Sequence, residues 1–257
     1  MSALARPSIV QLENVTVSFD GFKALNDIVF FVETGELRVV IGPNGAGKTT
    51  LIDVISGKIR PTSGRVIYGE ATDLASLRDH EIVRLGICRK FQTPSVFEKH
   101  TVRENLELSL KGHRGVFATL FASMSAPERA KIDGVLERTG LGDKARWKAG
   151  LLSHGQKQWL EIGMLMLQDP GVLLLDEPVA GMSDEETAKT GELILSIAKD
   201  RSVVVIEHDM EFVRRLNAKV TVLHEGKVLC EGPMEKVQAD ERVIEVYLGR
   251  DSAKAHA

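Results

Sequence analysis

The chain has 257 residues, a formal net charge of −3 and 43% hydrophobic residues, enough for one large domain with a substantial core. The slightly acidic balance excludes the basic surface that nucleic-acid binders use, so we expect no nucleic-acid partner. No stretch offers the roughly 18 consecutive apolar residues of a membrane span, and Cys88 and Cys230 lack the spacing of a metal site. We therefore expect a cytosolic chain with reduced thiols.

The first elements predicted are an antiparallel pair of strands and a strand–loop–helix unit. Apolar and polar residues alternate over residues 9–19 and 28–32, with a turn-prone Asp-Gly pair between the two runs. Residues 37–41 form a short apolar strand, which leads through a glycine-rich loop into a helix at residues 48–56.

The middle of the chain changes to a helical pattern and then returns to strands. Residues 93–167 predict a mainly helical segment, in which Thr101 and Glu104 have the spacing of a capping box. Continuous apolar runs at residues 172–175 and 203–206 predict two buried strands with a helix between them. Strands joined by helical crossovers predict a parallel sheet.

The last elements are a hairpin and a helix. Residues 219–223 and 227–231 predict a hairpin across an intervening Glu-Gly turn. A final helix is expected to end at Leu248, before a polar tail at residues 250–257 that we expect to be frayed.

The loop after the strand at residues 37–41 carries a phosphate-binding pattern. It fits GxxxxGK[ST] and opens a helix, where backbone N–H groups and the helix dipole can surround nucleotide phosphates. Lys48 would supply positive charge, and Thr49 a hydroxyl ligand for Mg2+. An ordinary glycine turn is the alternative, and the flanking strand and helix weigh against it. The candidate nucleotide-binding residues of this segment are Gly42, Pro43, Asn44, Gly45, Ala46, Gly47, Lys48, Thr49 and Thr50.

Two acidic residues, Asp176 and Glu177, close the strand at residues 172–175, at the sheet edge where parallel α/β folds bind ligands. Asp176 would hold Mg2+, directly or through water, and Glu177 would act on the attacking water as general base. An acidic pair at a strand end is more often only a solvated end. Its combination with the phosphate loop favours the functional reading.

The segment Leu152-Ser-His-Gly-Gln, about twenty residues before Asp176, resembles the LSGGQ signature of the ATP-binding-cassette (ABC) ATPases. The resemblance implies that Ser153, Gly155 and Gln156 bind the γ-phosphate of ATP held by the other protomer, at a helix N-terminus. His154 stands where the family has its first signature glycine. Taken alone, the serine and glutamine could equally form a capping box.

The resemblance also implies a fold and a division of the chain. The expected fold is α/β, with a P-loop NTPase core containing a mixed sheet, an N-terminal antiparallel β subdomain and an inserted helical subdomain. The whole chain, residues 1–257, would be a single ABC ATPase domain. Within it, residues 1–92 and 168–249 would form the nucleotide-binding core, residues 93–167 the helical subdomain with the signature, and residues 250–257 the tail.

Further positions match the family pattern. Gln92 resembles the glutamine that senses Mg2+ and the attacking water, and His208 resembles the switch histidine that contacts the γ-phosphate. Phe19 resembles the aromatic residue on which adenine stacks, although its place in an alternating strand suits a core residue equally well. Ser183 stands where many relatives have aspartate, so helix capping is its expected role. The resemblance thus gives the catalytic candidates Lys48, Gln92, Glu177 and His208, and the metal-binding candidates Thr49, Gln92 and Asp176.

The resemblance implies a set of cofactors and partners. ATP and Mg2+ would lie at the interface of a head-to-tail dimer with a second ATPase subunit, identical or paralogous. Membrane permease subunits would be direct partners and a periplasmic substrate-binding protein an indirect one. The chain would then be peripheral, on the cytoplasmic face of the inner membrane.

Within the family, the sequences EIG at residues 161–163, AGM at residues 180–182 and YLG at residues 247–249 resemble the ATPases of branched-chain amino acid and urea importers. The stretch LSHGQKQWLEIGM at residues 152–164 resembles the urea branch most closely, so urea is the expected cargo. Branched-chain amino acid import is the first alternative and lipopolysaccharide export the second. A soluble cassette of translation or DNA repair fits less well because the sequence has neither a second cassette nor a long coiled-coil insertion. A regulatory cassette without turnover fits less well because Glu177 and His208 are retained.

Overall fold

The computed structural model describes residues 7–90, 94–110 and 124–254, with side chains up to residue 247. The strands in these ranges are β1 (Ser8–Phe19), β2 (Phe22–Glu33), β3 (Leu37–Ile41), β4 (Ser63–Tyr68), β5 (Thr72–Asp73), β6 (Ile87–Lys90), β7 (Val172–Asp176), β8 (Ser202–Ile206), β9 (Lys219–His224) and β10 (Lys227–Gly232). The α-helices are α1 (Lys48–Ile55), α2 (Asp79–Leu85), α3 (Val102–Leu108), α4 (Ala126–Thr139), α5 (His154–Met166), α6 (Asp184–Ala198), α7 (Met210–Leu216), α8 (Met234–Gln238) and α9 (Glu241–Lys254).

The N-terminal sheet is antiparallel throughout and has the order β2-β1-β4-β5. In β1, Val10 and Leu12 are fully buried, and they pair with Val32 and Phe30 of β2. Successive residues of a strand point to opposite faces, so the alternation places one apolar face on the core. The antiparallel pair predicted from the sequence is confirmed.

The second sheet has the order β10-β9-β3-β8-β7-β6 and is parallel except for β10. One apolar core lies on each face of this sheet, and the inner strands contribute side chains to both cores. In β3, Val39 and Ile41 lie in one core and Val40 lies in the other. Burial on both faces explains why these strands are continuous apolar runs rather than alternating ones. The mixed sheet expected for the fold is confirmed.

Helices α3, α4 and α5 come after β6 and before β7 in the chain, and they pack against one another. Their contact is close at Gly163, where an added Cβ would lie 2.9 Å from Val135 Cγ1. The predicted capping box at Thr101 and Glu104 opens α3. The division into a core and a helical subdomain stays a prediction.

The sequence analysis names no helix or strand in residues 57–90, where the structure has β4, β5, α2 and β6. One predicted boundary also differs from the structure. The final helix α9 continues past the expected end at Leu248 to Lys254, so the helix end predicted from the sequence is wrong by six residues. The helix continues because no proline interrupts this stretch, and the single Gly249 is not enough to end it. No helix in the described part of the chain is long and apolar enough to cross a membrane.

Candidate functional site

The glycine-rich loop between β3 and α1 has a backbone shape that its glycines make possible. Gly45 and Gly47 have φ angles of +82° and +99°, in the left-handed region that glycine favours. An added Cβ on Gly47 would lie 2.5 Å from the carbonyl oxygen of Ala24 in β2. The loop therefore lies directly against β2, and only glycine fits at this point of contact.

Lys48, the first residue of α1, folds back over this loop. Its Nζ donates hydrogen bonds to the carbonyl oxygens of Gly42 at 2.7 Å and Pro43 at 3.1 Å. Bonds between two charged groups are stronger than bonds to neutral carbonyls, so a phosphate can compete for this ammonium group. The structure places all of the predicted loop residues at this loop and helix start: Gly42, Pro43, Asn44, Gly45, Ala46, Gly47, Lys48, Thr49 and Thr50.

Asp176, the last residue of β7, is buried and pairs with an arginine that the sequence analysis does not single out. Arg89 Nη2 lies 3.2 Å from Asp176 Oδ2, and Nη1 of the same guanidinium contacts Asp53 of α1. Burial raises the pKa of Asp176, and the positive charge of Arg89 opposes that shift. The other oxygen, Asp176 Oδ1, is buried without a hydrogen-bond partner among the described residues. A buried unpartnered carboxylate oxygen fits a cation ligand such as Mg2+.

Glu177 follows the last residue of β7 and faces His208, the second residue after β8. Its Oε1 lies 3.6 Å from His208 Nδ1, and both side chains are accessible to solvent. The backbone of Glu177 has φ +45°, an uncommon conformation for a residue with a side chain, and its N–H donates to Ile206 O at 3.0 Å. The structure therefore brings the two predicted catalytic side chains together at one sheet edge.

Charged side chains lie buried behind this edge. Burial lowers the pKa of Lys90, raises that of Glu161 to about 6, and raises that of Glu207. Glu207 accepts hydrogen bonds from the backbone N–H of His208 at 3.1 Å and of Val179 at 3.2 Å. Glu207 thus connects the backbone of His208 to the loop that follows Glu177.

The signature residues lie at the N-terminus of α5. Ser153 is the N-cap: its Oγ accepts from Gln156 N at 3.2 Å, and its N–H donates to Gln156 Oε1 at 3.1 Å. Ser153 Oγ also donates to Glu186 Oε1 of α6 at 2.8 Å. Gly155 is buried beside them, and His154 is exposed, with Nε2 3.3 Å from Gln158 Nε2. The capping box is present, and it leaves an anion-binding role possible at the same place.

The other expected residues have different outcomes. Phe19 ends β1 and has 47% of its surface exposed. The interpretation of Phe19 as a core residue is therefore wrong, and its ring is accessible for stacking on adenine. Ser183 caps α6, as expected. Gln92 lies outside the described residues, and its role stays a prediction.

The sequence analysis does not identify Arg89 or Glu207 as residues of the site. For Glu186 it predicts the capping of α6 but not the contact with Ser153. The spacing of Ser183 and Glu186 predicts a capping box, which the structure contains. No spacing rule relates Glu186 to Ser153, because that contact joins residues 33 positions apart. Arg89 lies in a short strand whose polar residues conceal its burial.

Comparisons with known proteins agree on one family. A profile described as "ABC transporter" matches residues 25–180, and one described as "Branched-chain amino acid ATP-binding cassette transporter" matches residues 227–253. The chain is 35% identical over 251 residues to the probable branched-chain amino acid transport ATP-binding protein LivG of Archaeoglobus fulgidus. The match covers 96% of this chain and 97% of that protein.

Solved structures give the same picture. An ATP-binding cassette of an ABC transporter in its ADP conformation superposes with a TM-score of 0.79 at 31% identity, over 94% of this chain and 99% of the other. A dimeric ATP-binding cassette in a post-hydrolysis state, bound to ADP and Pi, superposes with a TM-score of 0.72 at 27% identity. That match covers 88% of this chain and 98% of the other.

Proposed function

Since this chain belongs to the ABC transporter family, we propose that it is the ATPase subunit that powers an importer of branched-chain amino acids. ATP hydrolysis itself follows from membership of the family. The import direction, the cargo and the roles of single residues are proposals that rest on the geometry and on the named relatives.

The observation that carries the proposal is the placement of four residues beyond or at the carboxyl ends of three neighbouring parallel strands, with Glu177 Oε1 3.6 Å from His208 Nδ1. Lys48 lies after the loop that follows β3, Asp176 ends β7 with Glu177 next to it, and His208 lies two residues after β8. Ligands of open α/β sheets bind outside the carboxyl ends of the strands. A nucleotide on the phosphate loop would therefore direct its γ-phosphate toward Glu177 and His208.

Each of these side chains has a chemical task in hydrolysis. Lys48 would transfer its hydrogen bonds from the loop carbonyls to phosphate oxygens, and Thr49 and Asp176 would hold Mg2+. Mg2+, when bound with ATP, offsets the negative charge on the phosphate oxygens. Glu177 accepts the proton of the attacking water, and His208 donates a hydrogen bond toward the γ-phosphate.

The site needs a second ATPase subunit to be complete. In this proposal Ser153 and Gly155 of one subunit bind the γ-phosphate of ATP on the phosphate loop of the other. Closure then depends on ATP, and phosphate release reopens the pair. The dimeric relative bound to ADP and Pi supports this arrangement. The pair would lie on the cytoplasmic face of the membrane against permease subunits, fed indirectly by a periplasmic binding protein.

The cargo has two candidates. Branched-chain amino acids are favoured by the LivG relative and by the profile at residues 227–253. Urea, the cargo expected from the sequence, is supported by the stretch LSHGQKQWLEIGM alone and finds no support in the comparisons. We therefore place urea second.

Uptake by cells with and without this chain tests the proposal. Deletion should abolish binding-protein-dependent uptake of labelled leucine, because the permease then lacks its ATPase. Restoring the wild-type chain should recover uptake, and Lys48→Ala should not. Loss of urea uptake with leucine uptake unchanged would move the cargo to urea. Unchanged uptake of both would contradict the importer proposal.

A further inference from the structure

Glu186, in the first turn of α6, covers the signature with its carboxylate. Ser153 Oγ donates to Glu186 Oε1 at 2.8 Å. An added Cβ on Gly155 would lie 2.6 Å from both Cδ and Oε1 of Glu186. The carboxylate therefore lies directly at the N-terminus of α5, against the two residues to which the proposed function assigns the γ-phosphate.

The same carboxylate belongs to the start of α6. Its Oε2 accepts from Ser183 N at 3.2 Å, and Ser183 Oγ in turn accepts from Glu186 N at 3.3 Å. One oxygen of the carboxylate thus serves the cap of its own helix, and the other serves the signature serine. Capping alone does not require the second contact, because the box at Ser183 has its two reciprocal bonds without it.

We propose that Glu186 is an internal anion that occupies, in the isolated chain, the place of the γ-phosphate at the signature, and so sets the ATP concentration needed for closure. This inference rests on the proposed function. Ser153 has one hydroxyl hydrogen, which it can donate to the carboxylate or to a phosphate oxygen. A carboxylate and a phosphate at one helix N-terminus repel each other, so Glu186 withdraws from Ser153 when the partner's ATP arrives.

Glu186 is connected through the chain to the catalytic residues, so its withdrawal from Ser153 affects them. The loop at residues 178–183 runs from Glu177 to the cap of α6, and Val179 in this loop is hydrogen-bonded to Glu207. Arrival of phosphate at the signature of one subunit is thereby linked to the segment that follows its own general base. Glu186 acts through Ser153 and Ser183 and is a positioning residue.

The test is a titration with a non-hydrolysable ATP analogue on the purified transporter complex. The labelled analogue retained after rapid gel filtration measures closure. Glu186→Gln keeps a capping-box residue and removes the charge, and it should lower the half-maximal analogue concentration by about tenfold, within the usual range of coupling between sites. Glu128→Gln, the same change in the capping box of α4, should leave the curve unchanged.

The outcomes separate the inference from the function it rests on. A Glu186→Gln curve equal to that of the wild type, or shifted to higher concentration, would overturn the internal-anion role. Glu186→Ala guards against a new hydrogen bond from the glutamine amide, and it should shift the curve in the same direction. Retention that is insensitive to both Lys48→Ala and Ser153→Ala would overturn the composite ATP site itself.

Discussion

A single backbone angle makes Glu177 unusual among the residues at the sheet edge. It takes φ +45° directly after the extended strand β7, and this turns its carboxylate toward His208, 3.6 Å away. A non-glycine residue keeps a positive φ only where the surrounding structure holds it in that conformation. Here the N–H bond to Ile206 O at 3.0 Å contributes to holding the turn.

Replacing this carboxylate by an amide tests its role as the base. Glu177→Gln should hydrolyse ATP at least about a hundredfold more slowly, because an amide cannot accept the proton of the attacking water. Binding of Mg-ATP should persist, since the phosphate loop is intact. Steady-state phosphate release and equilibrium ATP binding by the purified complex measure the two effects. Turnover close to that of the wild type would remove Glu177 from the role of base.

The buried carboxyl of Glu161 predicts a pH-dependent stability. Burial raises its pKa from an ordinary 4.5 to about 6, against the opposing charge of Lys90, and Oε2 has no hydrogen-bond partner among the described residues. The folded chain therefore binds more protons than the unfolded chain between these values, and its stability falls as the pH rises through that window. Glu161→Gln should raise the free energy of unfolding by up to about 2 kcal/mol at pH 7.5.

The pH dependence of that gain distinguishes ionisation from a change in packing. Denaturant unfolding at pH 7.5 and at pH 4.5 should give a gain at the first value and little at the second, where the carboxyl is already protonated. Glu192→Gln, at an exposed position of α6, serves as control and should change stability by no more than about 0.5 kcal/mol at either pH. An equal gain at both pH values would contradict the argument.

At the scale of elements, one tryptophan joins the interior of α5 to α6. Trp159 is buried, its Nε1 donates to Thr190 Oγ1 at 2.8 Å, and Lys189 Nζ lies 4.2 Å from the ring centroid. Trp159→Phe keeps an aromatic ring but loses the hydrogen bond and part of the volume. It should lower the free energy of unfolding by about 1–2 kcal/mol.

A second tryptophan offers a matched control. Trp147 also lies near a lysine ammonium group, with Lys144 Nζ 5.5 Å from its ring centroid, but 48% of its surface is exposed. Trp147→Phe should change stability by no more than about 0.5 kcal/mol. Denaturant unfolding of both variants measures the difference. Equal losses would show that the α5–α6 contact does not depend on the Trp159 hydrogen bond.

Elements with a strong pattern could be predicted from the sequence, and elements that depend on distant partners could not. Strand β3 has the predicted bounds, because its apolar run is short and bordered by turns. Strand β6 does not stand out, since two of its four residues are Arg89 and Lys90. The burial of Arg89 becomes acceptable only beside Asp53 and Asp176, which come from other parts of the chain.

At the scale of the whole molecule, the same division holds for the site. The placement of Lys48, Asp176 and His208 at one sheet edge could be predicted because each belongs to a motif at or after a strand end, and parallel strands bring their ends together. Their roles stay predictions. Contacts between loops could not be found, since no local rule relates Glu207 to Val179 or Glu186 to Ser153. The six-stranded sheet serves both the fold and the site, because it separates two apolar cores and carries the motifs at one edge.

The left-handed backbone at Glu177 has a consequence for laboratory evolution. A non-glycine residue with positive φ costs on the order of 1 kcal/mol, whereas glycine adopts this conformation without that strain. A library screened for heat resistance alone would therefore enrich glycine at position 177 and would lose turnover in the same step. At this position selection for robustness and selection for activity favour different residues, and the glutamate persists only where hydrolysis is selected.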